Sequence, residues 1–214
     1  MEKIDLKKEF KHLYSPSNKA AQIVDVPELN FIMIDGAIEP GMEPGNSPTF
    51  EQAMGALYGA AYTLKFNSKL RKENPLDYGV MASEGLWWVE GIEFDLAKKD
   101  NWLWTLMIMQ PAHITQEMFQ AAIQQLDHKK PSPANARLRF VAFREGLCVQ
   151  MMHIGPYATE PETKEKMMAF AQDHGYVFSG THHEIYMGNP LRASPEKLKT
   201  ILRYPVKKGS QVVC

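Results

Sequence analysis

Cysteine is scarce in this chain: Cys148 and Cys214 are the only two in 214 residues. Two thiols cannot build a disulfide framework or a cysteine-rich zinc site. An excess of one charge is missing as well. Lys plus Arg is 24 and Asp plus Glu is 25, a net charge of −1, whereas a domain built to neutralise many phosphates is clearly basic. No apolar run approaches the roughly 18 residues of a membrane span. The stretch from Met1 to Phe10 is charged and holds no apolar signal core. The GxGxxG, P-loop, GxSxG and HExxH signatures are absent. These absences predict a cytoplasmic protein with no membrane partner, no direct nucleic-acid partner, no cofactor and no metal. What is present is an ordinary globular composition, 44% hydrophobic and 23% charged, with 13 Met and 4 Trp. Met recurs on surfaces that accept varied apolar ligands. Trp offers wide flat area with one polar handle, although both residues also fill cores.

Local patterns place the elements. The first twenty residues read as a short amphipathic helix or arm, broken at Ser15-Pro16-Ser17-Asn18. A strand pattern follows over 23–27 and 30–34, then a loop rich in Gly and Pro from Glu39 to Pro48. A helix spans 49–70, with Ser47 or Thr49 as its cap, and strands cover 86–90 and 102–109. A second helix runs over 114–128, capped by Thr115. Residues 137–145 alternate as a strand, Gly146 is expected to turn the chain, and 147–154 forms the hairpin partner. A helix over 160–174 and strands over 184–187 and 198–206 complete the chain.

This order repeats. Strand 30–35, a Gly/Pro break, helix 49–70 and strands 86–90 and 102–109 match strand 147–154, Gly155-Pro156, helix 160–174 and strands 184–187 and 198–206. The expectation is an α+β fold: a duplicated strand–helix–strand–strand module with pseudo-twofold symmetry and a ligand cleft between the halves. The chain reads as a single unit over 1–214, with an arm over 1–21, a first repeat over about 22–112 and a second over about 113–214.

Two segments carry candidate chemistry. Trp87 and Trp88 are neighbours in a strand and point to opposite faces, while Trp102 and Trp104 share one. Such rings either fill the core or form a cage for a flat aromatic or cationic ligand. In His182-His183-Glu184-Ile185-Tyr186, Glu184 and Tyr186 are in phase; if Ile185 faces the core, both face the cleft or solvent. A buried carboxylate must be paired, hydrogen-bonded or protonated, and in a cleft it can attract a cation or act as a base. His182 and His183 diverge in a strand, which argues against a metal pair. His153 and Tyr157, beside the Gly-Pro break, are polar groups that either donate into a pocket or serve the loop.

Taken in order, Lys11-His12-Leu13-Tyr14-Ser15-Pro16, Val24-Asp25-Val26-Pro27 with Phe31-Ile32-Met33-Ile34-Asp35-Gly36, Glu84-Gly85-Leu86-Trp87-Trp88-Val89-Glu90-Gly91, His153-Ile154-Gly155-Pro156-Tyr157 and Glu184-Ile185-Tyr186-Met187-Gly188-Asn189-Pro190 resemble the GyrI-like small-molecule-binding family, and they cover both halves. The resemblance implies an aromatic-lined cleft for planar aromatic or cationic small molecules, with Glu184 facing the ligand and Tyr157 near it. It also implies kinship with stand-alone members that hydrolyse cyclopropane-bearing DNA-alkylating compounds in an aromatic cage. The roughly twenty residues before the first strand are expected to be too few for the helix-turn-helix that regulator relatives carry. On this reading Tyr58, Trp87, Trp88, Trp104, Met107 and His153 are the ligand-binding candidates. Glu184 orients or deprotonates water, and Tyr157, Tyr186 or His153 donates to the developing oxyanion. Non-catalytic drug sequestration and a module that modulates a toxin or a topoisomerase are the alternatives. The oligomeric state is open.

Overall fold

The computed structural model describes residues 3–91, 94–95, 101–188 and 193–209. In chain order the elements are β1 (Lys3–Ile4), α1 (Leu6–Glu9), α2 (Lys11–Tyr14), β2 (Gln22–Ala37), α3 (Pro48–Lys69), β3 (Asp77–Tyr78), β4 (Ser83–Trp88), β5 (Leu103–Gln110), α4 (Gln116–Lys129), β6 (Arg139–Ile154), α5 (Glu160–Asp173), β7 (Tyr176–Phe178), β8 (His182–Tyr186) and β9 (Lys199–Lys208). Helix starts follow local chemistry. Ser47 Oγ accepts from the Phe50 amide to cap α3, and Thr115 accepts from the Met118 amide to cap α4. Ala53, Ala56, Leu57, Ala60, Ala61 and Leu64 make the buried stripe of α3.

The main sheet runs β6-β2-β5-β4-β8-β9, with β7 beyond β9, and β6 also pairs with β9. That last pairing, Cys148 opposite Pro205 through Ile154 opposite Lys199, closes six strands into a barrel-like ring. The duplicated module is present: β2, α3, β4 and β5 form one copy, and β6, α5, β8 and β9 the other. The copies meet twice, where β2 pairs with β6 and where β4 pairs with β8, both antiparallel. These two seams are the arrangement a pseudo-twofold axis requires.

Strand alternation sorts side chains between two faces. Helices α3 and α5 pack on the outer face. Phe50 of α3 lies on Trp87 and Trp104, and Met167 and Ala171 of α5 join Val149, Met151, Leu202 and Tyr204 in a second core cluster. The inward face carries Met33, Met107, Cys148, Ile185 and Ile201, all buried.

Several polar groups share this interior. His183 directs Nδ1 at Glu145 and Nε2 at Glu84, each 3.0 Å away. Tyr14 donates to Glu84 at 2.7 Å, and Arg203 donates to Glu145, to Gln150 and to the Leu13 carbonyl. Both His183 nitrogens face carboxylates, so the ring must be protonated to satisfy them. Burial opposes that charge, but the two carboxylates outweigh it and hold the ring's pKa up at about 9. Residues 12–14 thereby become part of the fold rather than a loose arm.

Two expectations change. Gly146 does not turn a hairpin: β6 is one continuous strand in which Gly146 sits at φ +77, a conformation that glycine tolerates. Strand β2 runs opposite it in one register, pairing Val26 with Gly146 and Glu28 with Arg144. The patterns at 23–27 and 30–34 form one strand, as expected, whereas β7 was not anticipated. Asn189 and Pro190, expected to end the strand at 184–187, lie outside the described residues, as does Cys214.

Candidate active site

The β4–β8 seam lies between α3 and α5, and its outer face carries Gly85, Trp87, His182, Glu184 and Tyr186. Each is placed by strand phase: 85 and 87 on β4, and 182, 184 and 186 on β8, with Gly85 opposite Glu184 and Trp87 opposite His182. Ile185 turns inward and is fully buried.

Glu184 is the hub. His182 Nε2 donates to Glu184 Oε1 at 2.7 Å, with the ring proton assigned to that nitrogen. The Tyr186 hydroxyl also bonds to Glu184, as does the carboxyl of Glu160 from the first turn of α5. Thr200, on the same face of β9, supports Glu160. Burial works to raise the Glu184 pKa, yet the hydrogen bonds and charge of His182, with those from Tyr186 and Glu160, win and hold it below the ordinary carboxylate range. Glu160 is driven the other way, well above that range, by burial and then by the Glu184 charge. The two carboxyls titrate as a coupled pair, in which a proton is held more tightly on Glu160 than on Glu184.

Rings surround this pair. Trp87, 2% exposed, donates from Nε1 to the Tyr186 hydroxyl at 2.9 Å. Its indole stacks on Phe50 at 5.7 Å and meets Trp102 edge-on at 5.5 Å. Phe94 stacks on His182 at 5.3 Å, and Tyr204 lies 4.9 Å away on that ring. The Gly85 position leaves room for the Trp87–Tyr186 bond: a Cβ there would meet Trp87 Nε1 at 2.7 Å and Tyr186 Oη at 3.0 Å. Tyr157, 41% exposed, meets Tyr186 edge-on at 6.3 Å and marks the open side. Burial, then Glu184 and Glu160, push its pKa up to about 12, so its hydroxyl stays protonated and able to donate. Tyr58 donates to Ser83 at 3.2 Å, one pleat from Gly85.

The structure thus gathers Glu184, Tyr186, Tyr157 and Trp87, with Tyr58 adjoining. It places the other candidates elsewhere. Trp88 is half-buried on the opposite face from Trp87. Trp104 is on the same face as Trp87 but fully buried beneath Phe50, against Gly36. Met107 is fully buried and points inward. His153 shares the outer face, but its Nδ1 bonds Thr163 at 2.9 Å and its Nε2 contacts the Pro156 carbonyl and Thr159, so it ties the 155–159 turn to α5. Glu160, Phe50 and Phe94 were not anticipated. His182 shares its strand phase with Glu184, a signal that was available.

A duplicated module with a buried carboxylate among aromatic rings at its seam defines a small-molecule-binding fold, and the comparisons agree. Residues 20–207 match the GyrI-like small molecule binding domain, and the chain belongs to that family. A conserved protein from Listeria innocua of uncharacterised function is 40% identical, with a TM-score of 0.86, over 95% of this chain and 100% of its own. A hydrolase from Listeria innocua is 39% identical, with a TM-score of 0.84, over 96% of this chain and 100% of its own. The EcmrR C-terminal domain shares the fold at 12% identity and a TM-score of 0.52, over 88% of this chain and 97% of that one. Among curated proteins none matches. Among the described residues no helix is long and apolar enough to cross a membrane.

Proposed function

We propose that this protein is a hydrolase that detoxifies planar, electrophilic xenobiotics at the β4–β8 seam, with cyclopropane-bearing DNA-alkylating compounds as the substrate class. The observation that carries this reading is the Glu184 carboxyl, its pKa held low by His182 and set beside Glu160 among aromatic rings. Tyr58 and Tyr157 supply flat surface for the ligand's ring system, and the buried Trp87 fixes Tyr186 beside Glu184. In a cyclopropane conjugated to a dienone, water attacks the ring methylene and one ring C–C bond breaks. Its electron pair moves to the carbonyl oxygen, giving a phenolate. Glu184 accepts the proton that water loses, and Tyr157 donates a hydrogen bond to the developing oxyanion, since the single hydroxyl hydrogen of Tyr186 is already directed at Glu184. Much of the acceleration is positional, because the strained ring is already reactive. The likeness to a Listeria hydrolase supports catalysis without naming the reaction.

One observation favours binding without turnover. Three donors converge on Glu184, which lowers its basicity and suits a fixed charge for a cationic aromatic ligand. Liquid chromatography and mass spectrometry after incubation with a duocarmycin-type cyclopropane decide between the two. A product heavier by one water supports the hydrolase, and unchanged compound that raises the melting temperature supports sequestration.

Gly85→Ala tests the cage itself. The added methyl overlaps Trp87 and Tyr186, so the indole must move off the hydroxyl at a cost of about 1–3 kcal/mol. Binding of a flat aromatic ligand, followed by quenching of tryptophan fluorescence, is expected to weaken at least tenfold. Unaltered affinity would place the ligand elsewhere.

A further inference from the structure

We propose that Glu160, His182 and Glu184 bind one divalent first-row transition-metal ion. One ligand atom from each residue lies within 4.8 Å of the others, and all three side chains are buried. His182 and Glu184 stand at i and i+2 on one face of β8, held between β4 and β9, and Glu160 arrives from the first turn of α5. The donors therefore sit on elements rigid enough to fix a coordination geometry. Among the described residues, two buried atoms of the cluster, Glu160 Oε1 and His182 Nδ1, have no hydrogen-bond partner. Unpaired buried polar atoms are costly, and here they belong to residue types that ligate metals.

The other buried histidine–glutamate cluster shows the contrast. In the barrel interior both nitrogens of His183 contact glutamates, and Arg203 supplies a further positive charge. Around the Glu160–His182–Glu184 group the largest influences on the two glutamates are burial, each other, His182, Tyr186 and Thr200, and Lys164 stands one ring away, over Tyr204. Its two carboxyl groups and the His182 ring each bring a ligand atom within 4.8 Å of the others. Two carboxylates and a neutral imidazole, its proton on Nδ1 so that Nε2 can ligate, give a dication a site with no net charge, which burial favours. An imidazole with two carboxylates selects Zn²⁺, Co²⁺ or Mn²⁺ over Mg²⁺ or Ca²⁺. Ligands about 2.1 Å from an ion lie roughly 3.0–3.4 Å apart, so the 2.7 Å His182–Glu184 contact must open by about 0.3–0.7 Å. Thr200 and Tyr186 already hold the two carboxylates from outside, as supporting groups do at metal sites.

The proposal does not rest on the hydrolytic reading, although it uses the same Glu184. Chelator-treated protein is titrated with Co²⁺. The expected result is one ion per chain, a visible absorption band, and displacement by Zn²⁺. Glu160→Gln and His182→Gln are each expected to weaken binding at least about 100-fold, while His113→Gln, outside the cluster, leaves it unchanged. If either site variant folds poorly, zinc-induced shifts of the His182 ring nitrogens in the wild-type protein, with His183 unmoved, give the same answer. No binding at millimolar Co²⁺ and Zn²⁺, or binding that ignores both site variants, overturns the proposal. A protein that binds no ion yet hydrolyses the cyclopropane overturns this inference alone. One that binds the ion, and hydrolyses nothing before or after chelation, overturns the hydrolytic reading alone.

Discussion

Glu184→Gln is expected to lower turnover of a cyclopropane-bearing substrate by about 10²–10⁴-fold, the usual contribution of a positioned proton acceptor, while leaving the fold intact. The amide occupies nearly the same volume, but it cannot serve the same neighbours. His182, Tyr186 and Glu160 all direct hydrogens at the Glu184 carboxylate, and a glutamine offers one acceptor oxygen where the carboxylate offers two. Glu160→Gln should cost less, because a proton is held more tightly on Glu160 than on Glu184 and an amide N–H can replace a carboxylic O–H as donor. This ordering separates an ionised acceptor from a merely buried glutamate. Equal losses in the two variants, by mass-spectrometric product yield at saturating substrate, would remove the assignment of roles within the pair. Full turnover in Glu184→Gln would remove Glu184 as the base. Binding of a neutral flat ligand should survive in both variants, since stacked area rather than charge holds it.

The sequence makes some of this legible for identifiable reasons. Ser47 and Thr115 declare their helices because a cap is a local hydrogen bond. The duplication is visible because element order is written in local periodicity. Period-two phase correctly groups Glu184 with Tyr186, and the same rule would have added His182. Closure of the ring is invisible, since it depends on pairings such as Cys148 with Pro205 between distant segments. Gly146 misleads because a tight turn and this position within a strand call for the same positive φ. Glu160 hides in plain view: an acidic residue in the first turn of a helix is already explained by the helix dipole, and only the docking of α5 beside β8 brings it to Glu184. Trp87 and Trp88 differ by which face of β4 meets α3, a matter of tertiary packing that alternation alone leaves undecided.

The largest stability effect is expected inside the ring, at Arg203→Met. Arg203 is 2% exposed and donates to Glu145, Gln150 and the Leu13 carbonyl. Removing it leaves Glu145 and Glu84 to share the single positive charge of His183, and loss of one partner from a buried ionic group costs about 3–5 kcal/mol. For a chain of this length that lowers the melting temperature by roughly 10 °C. The same network predicts a pH profile. Burial alone would raise the Glu145 pKa, but His183 and then Arg203 bring it below its ordinary 4.5, so its contribution is present above that value and is lost on acidification through the folded pKa. His183 moves from 6.5 up to about 9, so its contribution is complete below 6.5 and drains away as the pH rises toward 9. Stability from these two groups is therefore greatest between about 4.5 and 6.5, and thermal melts across pH should peak there. A flat profile up to pH 9 would mean that His183 is not held protonated. Replacing Arg203 and Glu145 together by apolar residues should cost less than Arg203→Met alone, because no unpaired carboxylate is then left at position 145. If the double change is the more damaging, the ion group stabilises the ring outright rather than merely being costly to break.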